Sequence, residues 1–305
     1  MTEVRRLDPH GFANNHHVQD GALDLSRRLP SLVVAAKEMA SSLMHGVHGR
    51  KRAGVGENFW QFRPFTSGES AAGIDWRRSA RDDRLYVRER EWEAAHTIWL
   101  WMDVSPSMAY ESDLALQSKQ DRALVLGLAL SDLMVRGGER VGIPGLTRPM
   151  AARDIVERLA LAMATRATHS SEVEELPPDH ALAPRAQAVL ISDFLSDAEE
   201  VAARVARIAS RGGRGHLVMI ADPVEETFPF EGHTEFLDVD SPLRLRIGEA
   251  RSFREVYLER LGAHRARLEE AARSVGWSFS LHRTDRPAST ALLHLRGLLE
   301  AGGAH

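Results

Sequence analysis

The chain has 305 residues, 43% hydrophobic and 27% charged, enough for one large domain or two modest ones with a substantial core. It has no cysteine, which excludes disulfides, thiolate metal sites and cysteine nucleophiles and fits a reducing compartment. The net charge of −4 gives no whole-protein attraction to nucleic acid or to an anionic membrane. Every apolar stretch is interrupted by charge well short of a membrane span, and residues 1–20 lack the apolar core of a signal peptide, so a cytoplasmic chain is expected.

Residues 1–28 mix His, Asn, Asp and Gly without periodicity and read as a mobile lead-in. From Leu29 to Leu43 the spacing of Leu32, Val33, Ala36, Met39 and Leu43 predicts a helix, with Pro30 in its first turn. Residues 46–69 surround Phe59-Trp60-Gln61-Phe62-Arg63-Pro64-Phe65 with glycines, the pattern of a short β segment apart from the main sheet. Asp75-Trp76-Arg77-Arg78-Ser79-Ala80-Arg81 follows, then an alternating piece from Leu85 to Glu91. Arg77 and Arg81, with Asp75 and Trp76, form a candidate partner-binding cluster, since guanidinium groups bind phosphates and carboxylates; the competing reading is a connector whose arginines pair locally with Asp75, Asp82, Asp83 and Glu89. Residues 29–92 thus read as a helix with a small β module, and 93–305 as the main domain.

In that domain Ile98-Trp99-Leu100-Trp101-Met102 is apolar without alternation, the mark of a strand buried on both faces. It stops at Asp103-Val104-Ser105-Pro106-Ser107. A helix is predicted from Ser118 to Arg136, closed by Gly137-Gly138, then a strand at Arg140–Ile143 with a short partner at Leu146–Met150. A helix from Asp154 to Met163 leads to a polar loop, Thr165–Pro184. Ala188–Ile191 is a second buried-type strand, ending at Ser192-Asp193. Helix Ala198–Ser210, strand His216–Ile220, a hairpin in Phe228–Ile247, a long helix Glu249–Val275, strand Trp277–His282 and helix Pro287–Leu299 complete the chain. The alternation predicts a doubly wound α/β fold, a mostly parallel sheet with helices on both faces, beside a small N-terminal β module.

In such a sheet, ligands bind beyond the carboxyl ends of the strands. Asp103, Ser105 and Ser107 offer a carboxylate and two hydroxyls there, and Asp193 ends another strand in the same manner. An oxygen-only set suits a hard cation such as Mg²⁺. The competing reading is helix capping, the ordinary work of Asp and Ser at helix entries.

Asp103-x-Ser105-x-Ser107 with a later Asp193 resembles the metal-ion-dependent adhesion site of von Willebrand factor type A domains. Upstream, Gly68-Glu69, Gly73-Ile74-Asp75-Trp76-Arg77, Ser79-Ala80-Arg81 and Leu85-Tyr86-Val87-Arg88 resemble the signature of domain-of-unknown-function family 58, which joins such a segment to a type A-like domain. The resemblance implies Mg²⁺ at the carboxyl edge, used to grip a partner's carboxylate, and a MoxR-like AAA+ ATPase as partner. It also implies a Thr on a loop between the two acid-bearing strands. Thr147, Thr165 and Thr168 are available, none in a Gly-Gly-Thr context, and Thr168 stands closest to the expected loop.

The expected function is therefore a non-enzymatic protein-interaction module, an adapter or chaperone-like partner of that ATPase. The alternative is a metal-dependent phosphoester hydrolase using Asp103 and Asp193 with Arg77 or Arg81 as phosphate clamp. Against it, such chemistry needs more clustered acids, and Ser105 stands where a haloacid-dehalogenase-type phosphatase needs a second Asp. No Gly-x-Ser-x-Gly or Gly-x-x-x-x-Gly-Lys motif occurs.

Overall fold

A computed structural model describes residues 16–47, 59–66, 70–71, 74–81, 84–90, 95–169, 175–237 and 244–302. Contacts divide the chain into two compact units, residues up to 44 with those from 96 onward, and residues 45–95.

The larger unit holds five parallel strands: β3 (Thr97–Met102), β4 (Arg140–Gly142), β5 (Gln187–Ser192), β6 (Arg214–Ala221) and β9 (Ser278–Arg283). Their spatial order is β4-β3-β5-β6-β9. The chain steps outward from β3 to β4, then crosses back over β3 to β5. The winding direction therefore reverses between β3 and β5, and a crevice opens at such a switch point beyond the carboxyl ends.

Alternate strand residues feed two separate apolar layers. Ile98, Leu100, Met102, Val189, Ile191, Val218 and Ile220 face one, with α1 (His16–Val47), α3 (Lys119–Arg136), α4 (Ile155–His169) and α8 (Ala288–Gly302). Trp101, Ala188, Leu190, Leu217 and Met219 face the other, with α5 (Ala198–Ala209) and α7 (Ala250–Ser274). The unbroken apolar runs of the sequence follow from burial on both faces, where each side chain withdrawn from water contributes about 2 kcal/mol. Close approach is built in at Gly215 on β6, where a Cβ would meet the Trp277 ring at 2.4 Å.

Helix α1 begins at His16, so the lead-in expected over residues 1–28 is helical from there on, and residues 1–15 lie outside the described residues. Pro30 sits inside the helix, not in its first turn. Leu25, Leu29, Leu32, Ala36 and Ala40 pack into the first layer, and Arg28 pairs with Asp121 and reaches Gln120 at 2.9 Å. This apolar stripe extends N-terminal to Pro30, which is why the helix does too. Contacts thus group α1 with the sheet rather than with the β module. A second difference lies after Met163, where α4 continues to His169 through residues expected to be loop.

Between β6 and α7 the chain forms α6 (Pro223–Thr227) and then β7 (Thr234–Leu237) and β8 (Arg244–Ile247), an antiparallel pair separate from the main sheet. In the smaller unit β1 (Phe59–Pro64) pairs antiparallel with β2 (Tyr86–Arg90), and α2 (Trp76–Ser79) lies between them in sequence.

Candidate functional site

Asp103 leaves β3 with its amide still paired to Ile191 of β5 at 2.9 Å, so its carboxyl is carried to the switch point by the sheet itself. Both of its oxygens are engaged. The Ser105 N–H donates to Oδ1 at 2.8 Å, and the Ser192 hydroxyl donates to Oδ2 at 2.6 Å. Asp103 is 2% exposed. Burial, with a smaller push from Asp193, lifts its pKa to about 7 against the pull of these hydrogen bonds. The loop then turns through a short 3₁₀ segment, Pro106–Ala109, which brings the hydroxyls of Ser105 and Ser107 to 3.2 Å of each other.

Asp193 ends β5 one strand away, in a different electrostatic setting. The Lys119 ammonium lies 2.9 Å from its Oδ2 and 2.6 Å from Glu225 Oε1. The Lys119 side chain is 1% exposed. Burial alone would lower the ammonium pKa, but Asp193 and Glu225 outweigh it and hold Lys119 above its usual value. The other Glu225 oxygen accepts from the Asp222 N–H at 2.8 Å, closing a capping box at the start of α6.

Asp222 ends a third strand, β6, and its role is architectural. Its carboxylate accepts from the Ser112 N–H at 2.9 Å, the Ser112 hydroxyl at 2.5 Å and the Val224 N–H at 2.8 Å. It thereby pins the loop that follows Ser105 and Ser107 to the start of α6, which carries Glu225.

These groups open onto one cavity of about 500 Å³. Its polar lining includes Asp103, Ser105, Ser107, Asp193, Lys119 and Glu225. Its apolar and aromatic lining includes Phe228, Phe230, Phe236, Leu245, Phe253 and Tyr257. Phe228 anchors the aromatic group, with its ring centroid 4.7 Å from Tyr257, 5.1 Å from Phe230 and 5.6 Å from Phe236. Phe236 and Leu245 are register partners on β7 and β8, so the hairpin supplies one wall. Tyr110 and Tyr257, both pushed up to about 12 chiefly by burial with added repulsion from nearby carboxylates, remain neutral phenols.

Two bulky residues beside the cavity have left-handed backbones, Phe194 at φ 48° and Phe228 at φ 42°. Such a conformation costs a large side chain about 1–3 kcal/mol and persists where surrounding contacts impose it. The Phe194 carbonyl is held by His264 Nε2 at 2.7 Å and its N–H by the Ser192 hydroxyl at 2.9 Å. Phe228 is the C-cap of α6, its N–H bonded to the Val224 carbonyl at 2.8 Å.

Residues 61–267 match the family model described as Protein of unknown function DUF58. The chain belongs to that family. Uncharacterized proteins of Mycobacterium bovis (Mb1516) and Mycobacterium tuberculosis (MT1527 and Rv1480) are 25% identical to it over 276 residues, 86% of each chain. No solved structure matches it.

In this DUF58 chain, four of the expected site residues, Asp103, Ser105, Ser107 and Asp193, line one cavity. Thr168 lies within α4, not on a loop after it, and its side chain is outside the described residues. Thr147 donates nothing to the cavity; its hydroxyl accepts from the Ile143 N–H at 2.9 Å. Asp75, Trp76, Arg77 and Arg81 belong to the smaller unit, whereas the cavity is lined wholly by the larger. Asp75 is the N-cap of α2, accepting from the Arg78 N–H at 2.9 Å, and Ser79 ties that turn to β2 through the Tyr86 N–H at 2.9 Å. Arg78 stacks over the Tyr86 ring at 4.9 Å. Trp76, 63% exposed, Arg77 and Arg81 face solvent. Gly68, Glu69 and Gly73 of the family signature lie outside the described residues.

The donors suit Mg²⁺ in kind, being oxygens only, but not in state. Metal ligands must be deprotonated, whereas burial raises the Asp103 pKa to about 7 and each of its oxygens already accepts a hydrogen bond, while Asp193 faces an ammonium. Among the described residues, no group of three His, Asp or Glu side chains is placed to hold a metal ion.

The site residues missed from sequence are Lys119, Glu225 and the aromatic wall. The acid-proline pair Asp222-Pro223, followed by Glu225 at capping-box spacing, was a readable signal for the third strand end. Lys119 had none, because a lysine just inside a helix reads as a solvated surface residue.

Proposed function

We propose that this protein is a non-enzymatic interaction module that receives a segment of a protein partner in the cavity at the carboxyl edge of its sheet. The observation that carries the reading is the convergence of Asp103, Lys119, Asp193 and Glu225, from four separate stretches of the chain, and of an aromatic wall on one cavity at the switch point. Concave sites with one apolar face and a few oriented polar groups suit ligand capture. Aromatic anchors in such pockets dominate binding energy. The Asp-x-Ser-x-Ser loop and the parallel sheet support a von Willebrand factor type A-like domain. The family resemblance supports a MoxR-like AAA+ ATPase as the partner.

No observation favours the phosphoester hydrolase. The cavity lining includes no arginine, and its lysine is spent on Asp193 and Glu225.

The test is binding of the purified MoxR-like ATPase from the same genome, by label-free interferometry, to wild type and to Phe236→Ala and Asp103→Ala. Each variant is expected to weaken capture by about 10-fold or more. Unchanged capture by both variants rejects the reading. Turnover of p-nitrophenyl phosphate that vanishes in Asp103→Asn would replace it with the hydrolase.

A further inference from the structure

Resting on the interaction reading above, we infer that Lys119 occupies the role a divalent cation would play at this edge. The cavity therefore works without metal and receives an uncharged, apolar-sided segment rather than an acidic side chain.

The position of Lys119 argues that it is kept for the site and not for the helix. It is the first residue of α3, where the helix macrodipole opposes a cation, and its ammonium is buried. Both terms cost stability, and the two carboxylates offset them. The geometry is that of a shared counter-ion. One ammonium bridges a strand-end aspartate and a helix-start glutamate at 2.9 and 2.6 Å, and the Tyr110 ring lies 5.8 Å from the nitrogen. The second oxygen of Glu225 is held by the Asp222 amide. A metal ion would have to displace Lys119 from Asp193. It would also have to share Asp103 oxygens that already accept from the Ser105 N–H and the Ser192 hydroxyl.

Charge then sets the occupant. Asp193 and Glu225 together carry two carboxylates against one ammonium on Lys119, so this triad stays net negative and repels an incoming carboxylate. An ammonium has three donors, and two are spent on the carboxylates. The part-exposed Ser107 hydroxyl beside this triad suits a neutral group such as a peptide carbonyl or amide. The wall of Phe230, Phe236, Leu245 and Tyr257 suits an aromatic or branched aliphatic side chain beside it.

Mn²⁺ titration of the full chain, followed by the paramagnetic resonance of the free ion, tests the cation. The buffer is alkaline, so that Asp103 is ionised and the metal has its best opportunity. Wild type is expected to take up no Mn²⁺ below about 1 mM, and Lys119→Met to bind at least about 10-fold more tightly. Uptake of one Mn²⁺ by wild type in the micromolar range overturns the inference, as does a folded Lys119→Met that gains no affinity. If that variant does not fold, the wild-type titration decides alone. The occupant is tested by saturation-transfer NMR with N-acetylphenylalanine amide and N-acetylaspartate amide. Transfer to the first alone, in the presence of chelator, supports the inference. Transfer to the aspartate probe with Mg²⁺, or to neither, overturns it. None of these measurements uses the ATPase, so failure of the interaction reading is seen separately.

Discussion

Asp103 and Asp193 end neighbouring parallel strands, both buried, and the fold treats them in opposite ways. Asp103 is surrounded by a backbone amide and two serine hydroxyls, and burial lifts its pKa to about 7. Asp193 meets a lysine ammonium at 2.9 Å. A carboxyl's register position in the sheet therefore does not decide its partner; the element packed above it does. Here that element is the start of α3, which places Lys119 over β5 and not over β3.

Removing the ammonium is the largest way to break this contrast. Lys119→Met leaves Asp193 and Glu225 without a counter-ion, and a loss of about 3 kcal/mol is expected in urea unfolding. Adding Asp193→Asn to Lys119→Met should recover most of that loss. If the double variant is no more stable than the single one, the ammonium is not acting on Asp193.

The pH dependence of Asp103→Asn comes next. The folded-state pKa is raised from 3.8 to about 7, so the contribution of Asp103 is complete below 3.8 and is lost as pH rises through 7. The asparagine variant lacks that penalty. Its stability relative to wild type should therefore be about 2 kcal/mol more favourable at pH 8 than at pH 5. An offset that does not change with pH would mean that Asp103 is ionised throughout.

The smallest effect isolates the Asp103 slope from an opposing one. His216 and His282 are lowered to about 4, chiefly by burial, with His294 repelling the first and Arg122 the second. Their contribution is present above 6.5 and is lost as pH falls toward 4, where Asp103 acts in the other direction. Acid unfolding of Asp103→Asn should accordingly be steeper than that of wild type over this window. His282→Gln should flatten it by about 1 kcal/mol per pH unit, as read from urea midpoints.

Much of this molecule was legible in one dimension. The apolar runs at Ile98–Met102 and Ala188–Ile191 announced strands covered on both faces. The helices α3, α5, α7 and α8 lie within a few residues of their periodicity, because amphipathic spacing and caps such as Ser118 and Asp197 are local. The errors were also physical. Pro30 looked like a helix start, but apolar contacts from Leu25 and Leu29 carry α1 past it. Residues 165–169 looked polar enough for a loop, yet α4 runs on to His169.

What the chain determined on its own was a two-faced parallel sheet with acids and hydroxyls at its carboxyl edge, since burial patterns and strand stops are written in neighbouring residues. Tertiary structure alone decided which acid meets an ammonium. The lysine that neutralises Asp193 stands 74 positions away in the chain, and the aromatic wall comes from a hairpin and a helix beyond a third strand. Electrostatic partnership depends on distance in space, and no spacing rule along the sequence encodes it.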